Sequence, residues 1–257
     1  MNLLLFDPAE LDRARGGASG AAEIDLPADD RRARHLRTVL RVRPGQVVRA
    51  GAVRGPTGSA EVVAVDEQRV RLRVVLDRTA AARPAVDLIL AVPRPKALSR
   101  VLETAASFGV GRIDLVNAWR VDRSYLDSPR LGPAELDAAL RLGCEQGATT
   151  WLPDIGLERL LVPYLARGPD RWAEGGHRLI AHPRADAPIE AIVRPGARAP
   201  VLIAIGPEGG WIDRELDSFA ALGFAPVHLG APVLRVEAAV AALLSQLQLL
   251  GRLPAGG

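Results

Sequence analysis

Cysteine is nearly absent from this chain: Cys144 is the only one in 257 residues. A single cysteine excludes an internal disulfide and any metal site built on a cysteine cluster, and its ordinary place is a small buried residue. Aromatic residues make up only 4% of the chain, which leaves a stacked aromatic platform for single-stranded nucleic acid without support. No apolar run approaches the roughly 20 residues of a membrane span. The opening MNLLLFDPAE has no basic start of the secretory kind, so a cytoplasmic protein is expected. His35, His177, His182 and His228 show neither HxxxH nor HxH spacing, and no metal is expected. There is no GK[ST] after a glycine loop, no GxGxxG and no GxSxG. The usual signals of nucleoside triphosphate, nicotinamide and serine hydrolase chemistry are therefore missing. Lysine is also scarce. Lys96 is the only one among 33 basic residues, and the net charge is +3. What matters is where the arginines cluster, because a local basic patch attracts phosphates whatever the total charge.

The length suits one large or two modest domains with a buried core. Over residues 1–80 the pattern is of short strands: residues 3–6, 23–26, a strand after the Pro44-Gly45 turn, and alternating stretches beyond it. In QRVRLRVVL, Val70, Leu72 and Val74 point one way and Arg69, Arg71 and Arg73 the other, as in a half-buried antiparallel strand with a basic outer face. Residues 7–20 read as a loop. Residues 31–43 carry six arginines and a histidine, with Leu36, Val39 and Leu40 spaced for one helix face. That run reads equally as a solvated face or as a phosphate-contacting surface, and the basic strand tips it toward nucleic acid. A small β-barrel is the expected first domain. After an Ala/Pro linker at residues 79–86, buried strands alternate with helices through residues 81–257, including a helix at 133–147, which predicts an α/β domain with a mainly parallel sheet.

The stretch VLIAIGPEGGWIDRELDSFAALGFAPVHLGAPVLRVEAAV concentrates the candidate chemistry. A buried strand at 201–205 runs into GPEGGW, where bare backbone can approach a ligand. Asp213 is the expected N-cap of the next helix and Gly223 its stop. A second strand at 226–229 runs into a second glycine loop, and a long Ala/Leu helix follows. Alone, GPEGGW reads equally as a tight turn. Glu208 lies in a loop at the carboxyl edge of the sheet, where open α/β folds place ligands. Glu237, in a helix's first turn, is also explained by the helix dipole. Arg235 could pair with either.

These motifs occur in order. IGPEGGW, LGFAPVHLG and LRVEAAV, with RHLRTVLRVRPGQVV, RPKALSRVLETAASFGVGRI and CEQGATTWLPDI before them, resemble the bacterial 16S ribosomal RNA uridine-N3 methyltransferases of the knotted SPOUT class over nearly the full length. The resemblance implies a PUA-like, RNA-binding β-barrel at 1–80 and a methyltransferase domain with a C-terminal trefoil knot at 81–257. It implies a homodimer, S-adenosyl-L-methionine as donor and the small ribosomal subunit as partner. By position it places Leu202, Ile205, Gly206, Pro207, Gly209, Gly210, Leu229, Gly230, Leu234 and Ala238 around the donor. Arg31, Arg32, Arg34, His35, Arg37, Arg41 and Lys96 fall toward RNA, and Arg235, Glu237 and Glu208 in the chemistry. Two departures stand out. Val236 occupies the usual threonine position, so no essential role is expected there, and Gly147 to Thr150 after Glu145-Gln146 contain no arginine, so no RNA contact is expected there. A SPOUT enzyme with another RNA target or a ribose oxygen as acceptor, and a non-catalytic ribosome-assembly factor, are the competing expectations.

Overall fold

The computed structural model describes residues 2–14, 21–168, 172 and 175–254. The chain divides into two compact units, Met1–Arg83 with Arg141–Leu152, and Pro84–Leu140 with Pro153–Gly257. A boundary at 80/81 does not anticipate the return of 141–152 to the first unit.

The first unit is a five-stranded sheet. Its strands are β1 (Leu4–Phe6), β2 (Ala22–Pro27), β3 (Val47–Ala52), β4 (Thr57–Val65) and β5 (Arg69–Arg78), in the order β1-β3-β4-β5-β2. Among the described residues of this sheet, only β1 and β3 pair in parallel. The alternation in β5 holds: Val70, Leu72 and Val74 are buried in a core with Phe6, Ile24, Leu26 and Val62. The outer arginines face acids across the strands. Arg71 and Arg69 pair with Asp25 and Arg73 with Glu61, so this face is neutralised within the sheet rather than basic.

Two expectations fail here. Residues 8–14 of the supposed loop form helix α1 (Pro8–Ala14), which buries only Leu11; one apolar position cannot show a period. Residues 15–20 lie outside the described residues. The arginine-rich helix α2 (Arg31–Thr38) ends early, leaving Val39 and Leu40 64% and 45% exposed, and its buried face is Ala33 with Leu36. Asp30 caps α2, accepting from Arg32 N at 2.7 Å. The Arg32 guanidinium binds Asp30, both carboxylate oxygens of Glu10 and the Leu5 carbonyl, and lies over the Phe6 ring. Arg31 pairs with Glu145 at 2.6 Å, and the Glu145 carbonyl accepts from Asn2 N and Leu3 N. Glu145, almost fully buried, is thus a structural anchor of the 141–152 segment.

Burial opposes ionisation of Asp30, but the hydrogen bond and charge of Arg32 outweigh it and hold the carboxyl below its ordinary range. A depressed carboxyl contributes stability that is present above its unfolded pKa and lost as pH falls through the folded one. The first unit is therefore expected to lose stability below about pH 4. Urea melts at neutral pH and at pH 3 check this: Asp30→Asn should be less stable at neutral pH and lose less on acidification. An acid loss as large as that of the wild type would remove Asp30 from the explanation.

The second unit holds a six-stranded sheet made of β6 (Val86–Ala91), β7 (Arg112–Val116), β8 (Asp154–Glu158), β9 (His177–Ala181), β10 (Val201–Ile205) and β11 (Ala225–Val227). All pairs are parallel, in the order β11-β9-β10-β6-β7-β8. Every residue of β10 is buried, as a central parallel strand requires. Helices α3 (Pro95–Ser107) and α8 (Val236–Arg252) pack together, as do α5 (Leu161–Arg167) and α7 (Asp213–Ala220). Helix α4 (Pro133–Gly147) has the expected bounds, and α6 (Ile189–Ile192) is a single turn. From β6 the chain moves outward through β7 and β8, then returns to the other side of β6 for β9, β10 and β11. The strand order therefore reverses between β6 and β10, and ligands in such sheets bind outside the carboxyl ends at that switch point.

Candidate active site

Three strands at that reversal end in loops that are tied to one another. From β10 the chain enters residues 206–210. Gly210 N donates to Pro207 O at 2.8 Å, and Gly210 takes φ +74°, a left-handed conformation suited to glycine. A β-carbon on Gly209 would lie 3.1 Å from Arg120 Cδ, and Arg120 donates to the Gly209 carbonyl at 2.6 Å. The glycine thus makes room for a side chain from the loop after β7. Glu208 turns toward the loop after β6: it accepts from Arg94 N at 3.3 Å and faces Arg94 Nε at 3.6 Å. Arg94 is the N-cap of α3, a helix with no side-chain cap of its own and no acid in its first turn. Glu208 supplies the negative charge that this helix end lacks.

A third tie was not visible in the sequence. Glu215 is buried in the first turn of α7. One carboxylate oxygen accepts from Ile212 N at 3.0 Å and the other from Trp119 N at 2.8 Å, just beyond β7. Ile212, not Asp213, is the N-cap of α7, and Asp213 is its first helical residue. The expected cap was one position late because Glu215 does the capping from inside the helix, which a carboxylate at the third helical position can do.

The second glycine loop leaves β11. Strands β10 and β11 flank β9, so their carboxyl ends lie about 10 Å apart. His228 N donates to Ala187 O, and Gly230 N to His228 Nδ1. Beyond that the loop opens. Residues 230–235 are exposed, Val233 by 79% and Leu234 by 39%. Among the described residues the N–H groups of Ala231, Val233 and Leu234 make no hydrogen bond. Arg235 is the N-cap of α8, without a side-chain capping bond. It is exposed, and no carboxylate of the described residues pairs with it. Glu208 faces Arg94 rather than Arg235. Glu237 lies half-buried in the first turn of α8 and Ala238 is exposed beside it.

A model of the RNA methyltransferase domain matches residues 81–248. The chain belongs to this family. Among curated relatives of this RNA methyltransferase, the ribosomal RNA small subunit methyltransferase E of Treponema pallidum (strain Nichols) is 30% identical, covering 94% of this chain and 88% of its own. The protein of the same name from Mycobacterium tuberculosis is 27% identical over 84% and 83%. Among solved structures, a ribosomal RNA small subunit methyltransferase E from Neisseria gonorrhoeae bound to S-adenosyl methionine shares the fold. Its TM-score is 0.75 at 24% identity, over 96% of this chain and 97% of that one.

In this RNA methyltransferase the expected donor residues divide. Ile205, Gly206, Pro207, Gly209 and Gly210 lie at the end of β10, and Leu229, Gly230, Leu234 and Ala238 follow β11. Leu202 does not join them. It pairs with Asp87 and Arg178 near the amino ends of the strands, where it lines a cavity of about 10 Å³ with Trp172 and Gly176. The expected RNA residues divide too. Arg34, Arg41 and Lys96 are exposed. Arg32 is committed to its internal network, Arg31 to Glu145 and Arg37 to the Glu67 carbonyl. His35 Nε2 is buried without a partner among the described residues, and burial lowers the imidazole pKa. The loop after β9, where His182 N bonds to Val227 O, lies between the two glycine loops. Sequence reasoning passed over it because its composition gives no motif.

Proposed function

We propose that this protein transfers a methyl group from S-adenosyl-L-methionine to N3 of one uridine in the decoding region of 16S ribosomal RNA. We infer that it does so as a homodimer whose second unit carries a C-terminal trefoil knot. The observation that supports this reading best is the open loop between β11 and α8. It sets peptide N–H groups without partners beside the exposed apolar Val233 and Leu234, and it ends at Arg235. Open peptide groups next to apolar side chains suit an adenosine, whose base needs both edge hydrogen bonds and apolar cover. The residues present therefore fit the donor, with Ile205, the 206–210 loop, Leu229, Gly230 and Leu234 holding it.

When bound, the donor supplies an electrophilic methyl group on a sulfonium. The chain's part is to hold uridine N3 in line with that methyl and to manage one proton and one charge. N3–H is not a nucleophile until its proton leaves. That proton would pass to Glu237, the candidate base left once Glu208 is engaged by Arg94, before N3 could take the methyl group. Negative charge developing on a uracil oxygen is met by the Arg235 guanidinium. Positioning in the cleft supplies a further share of the acceleration.

Mapping of modified nucleosides by mass spectrometry tests the assignment. 16S ribosomal RNA from a strain lacking the gene should lose one 3-methyluridine and regain it on complementation. An unchanged 3-methyluridine content would sink the proposed acceptor, and a missing 2′-O-methyl group in its place would point to a ribose oxygen. Titration calorimetry with S-adenosyl-L-methionine separates both from a non-catalytic assembly factor, for which the folded protein would take up no donor.

A further inference from the structure

Trp119 is 79% exposed in a chain with only four tryptophans. Trp211 is buried, Trp151 lies under Arg54 and Trp172 packs on Phe224. Its exposure is not looseness. Trp119 N is held by the buried Glu215 at 2.8 Å, Ala118 before it and Val121 after it are buried, and Val121 N closes a turn onto Ala118 O at 3.0 Å. The next residue, Arg120, is fastened to the Gly209 carbonyl. The indole therefore stands on a fixed backbone at the carboxyl edge of β7, in the loop that Arg120 ties to the 206–210 loop. Arg120 and Arg123 follow it in the chain, both exposed, and Arg120 and the exposed Arg94 meet the same 206–210 loop through Gly209 and Glu208.

We propose that the Trp119 indole is a stacking surface for an unpaired base of the RNA substrate, next to the methyl-transfer loops. A rigid, solvent-facing indole followed in the chain by exposed arginines suits an unstacked base carried on a phosphodiester backbone, since each base offers a π-face and stacking tolerates any sequence. A double helix keeps its bases stacked and has no face to offer. The scarcity of aromatics argues against an extended platform, and a single stacking position is compatible with it. The inference rests on the reading of the chain as an RNA methyltransferase and names the part of the substrate that this edge of the sheet holds.

The test uses a fluorescein-labelled RNA hairpin of the decoding region and, as a control, a fully paired duplex of equal length. Trp119→Ala should weaken binding to the hairpin about tenfold. Duplex binding, the donor Kd and the salt dependence of hairpin binding should not change, because no phosphate contact is removed. Trp119→Phe, which keeps a ring, should recover most of the loss, and with RNA as substrate KM should rise more than kcat falls. Equal hairpin affinity in Trp119→Ala overturns the proposal. So does a change in oligomeric state of Trp119→Ala by light scattering, which would make the indole part of a subunit interface. If the wild type shows the hairpin-specific loss on substitution but forms no 3-methyluridine, the uridine-N3 assignment fails and the stacking site stands.

Discussion

Arg235→Ala is expected to slow methyl transfer about 10²–10³-fold, the usual loss when one donor aimed at developing charge is removed, with the melting temperature unchanged or slightly raised. The two halves of that expectation have different sources. Arg235 is exposed at the N-cap of α8, has no carboxylate partner among the described residues and makes no side-chain capping bond. A cation at a helix amino terminus opposes the dipole by about 0.3–1 kcal/mol, so the fold gains nothing from it there. A residue whose local electrostatics are unfavourable and whose removal leaves no buried group unsatisfied costs little stability to replace. Single-turnover methyl transfer and a thermal melt on the same preparation decide the matter. Arg235→Lys should fall between, because an ammonium keeps the charge and loses the planar fork. Wild-type turnover in Arg235→Ala would remove Arg235 from the chemistry. A large drop in melting temperature would instead reveal a structural contact.

The elements that sequence made legible are those whose signal is local. The period-two burial of β5 and the bounds of α4, between Pro133 and Gly147, follow from neighbours in the chain. Strand β8 was missed because its only apolar side chains, Ile155 and Leu157, flank a glycine in a five-residue stretch, too short an alternation to mark a strand. Helix α5 was missed because Pro163 sits within its seven residues and reads as a breaker, although a proline near a helix start is tolerated. The supposed apolar face at Leu36, Val39 and Leu40 failed because α2 stops at Thr38 and Arg41 turns the chain at φ +49°. At the site, glycine clusters gave away the two loops, since their cause is the local backbone. The ties that hold the loops were hidden. Trp119 to Glu215, Arg94 to Glu208 and Arg120 to Gly209 span 96, 114 and 89 positions. A single sequence carries no sign of which distant acid meets which amide. Arg32 shows the same limit: its composition marked it for RNA, and its partners Glu10 and Asp30 hold it inside the first unit.

Glu215→Ala is expected to lower stability by about 3 kcal/mol, because it leaves the part-buried N–H groups of Ile212 and Trp119 without the carboxylate that accepts from both. For a unit of this size that corresponds to a fall in melting temperature of about 6–12 °C. Glu215→Gln should lose less. Its carbonyl oxygen still accepts from one amide, while its NH₂ group is turned toward the other and cannot accept from it. The order wild type, Gln, Ala would identify acceptor count, rather than side-chain volume, as the cause. The consequence for activity follows from which segments the carboxylate joins. One of its oxygens fixes the start of α7, which follows the 206–210 loop, and the other fixes the loop after β7 that carries Trp119 and Arg120. Freeing them from each other should speed hydrogen exchange at the Trp119 amide and lower kcat/KM for RNA at temperatures where the variant is still folded. The open loop before α8 lies outside these bonds, so its share of donor binding should persist, while the share made by the 206–210 loop should weaken together with RNA turnover. Unchanged exchange at Trp119 in Glu215→Ala would show that the loop is held by something other than this carboxylate. The rigid presentation of the indole would then need another cause.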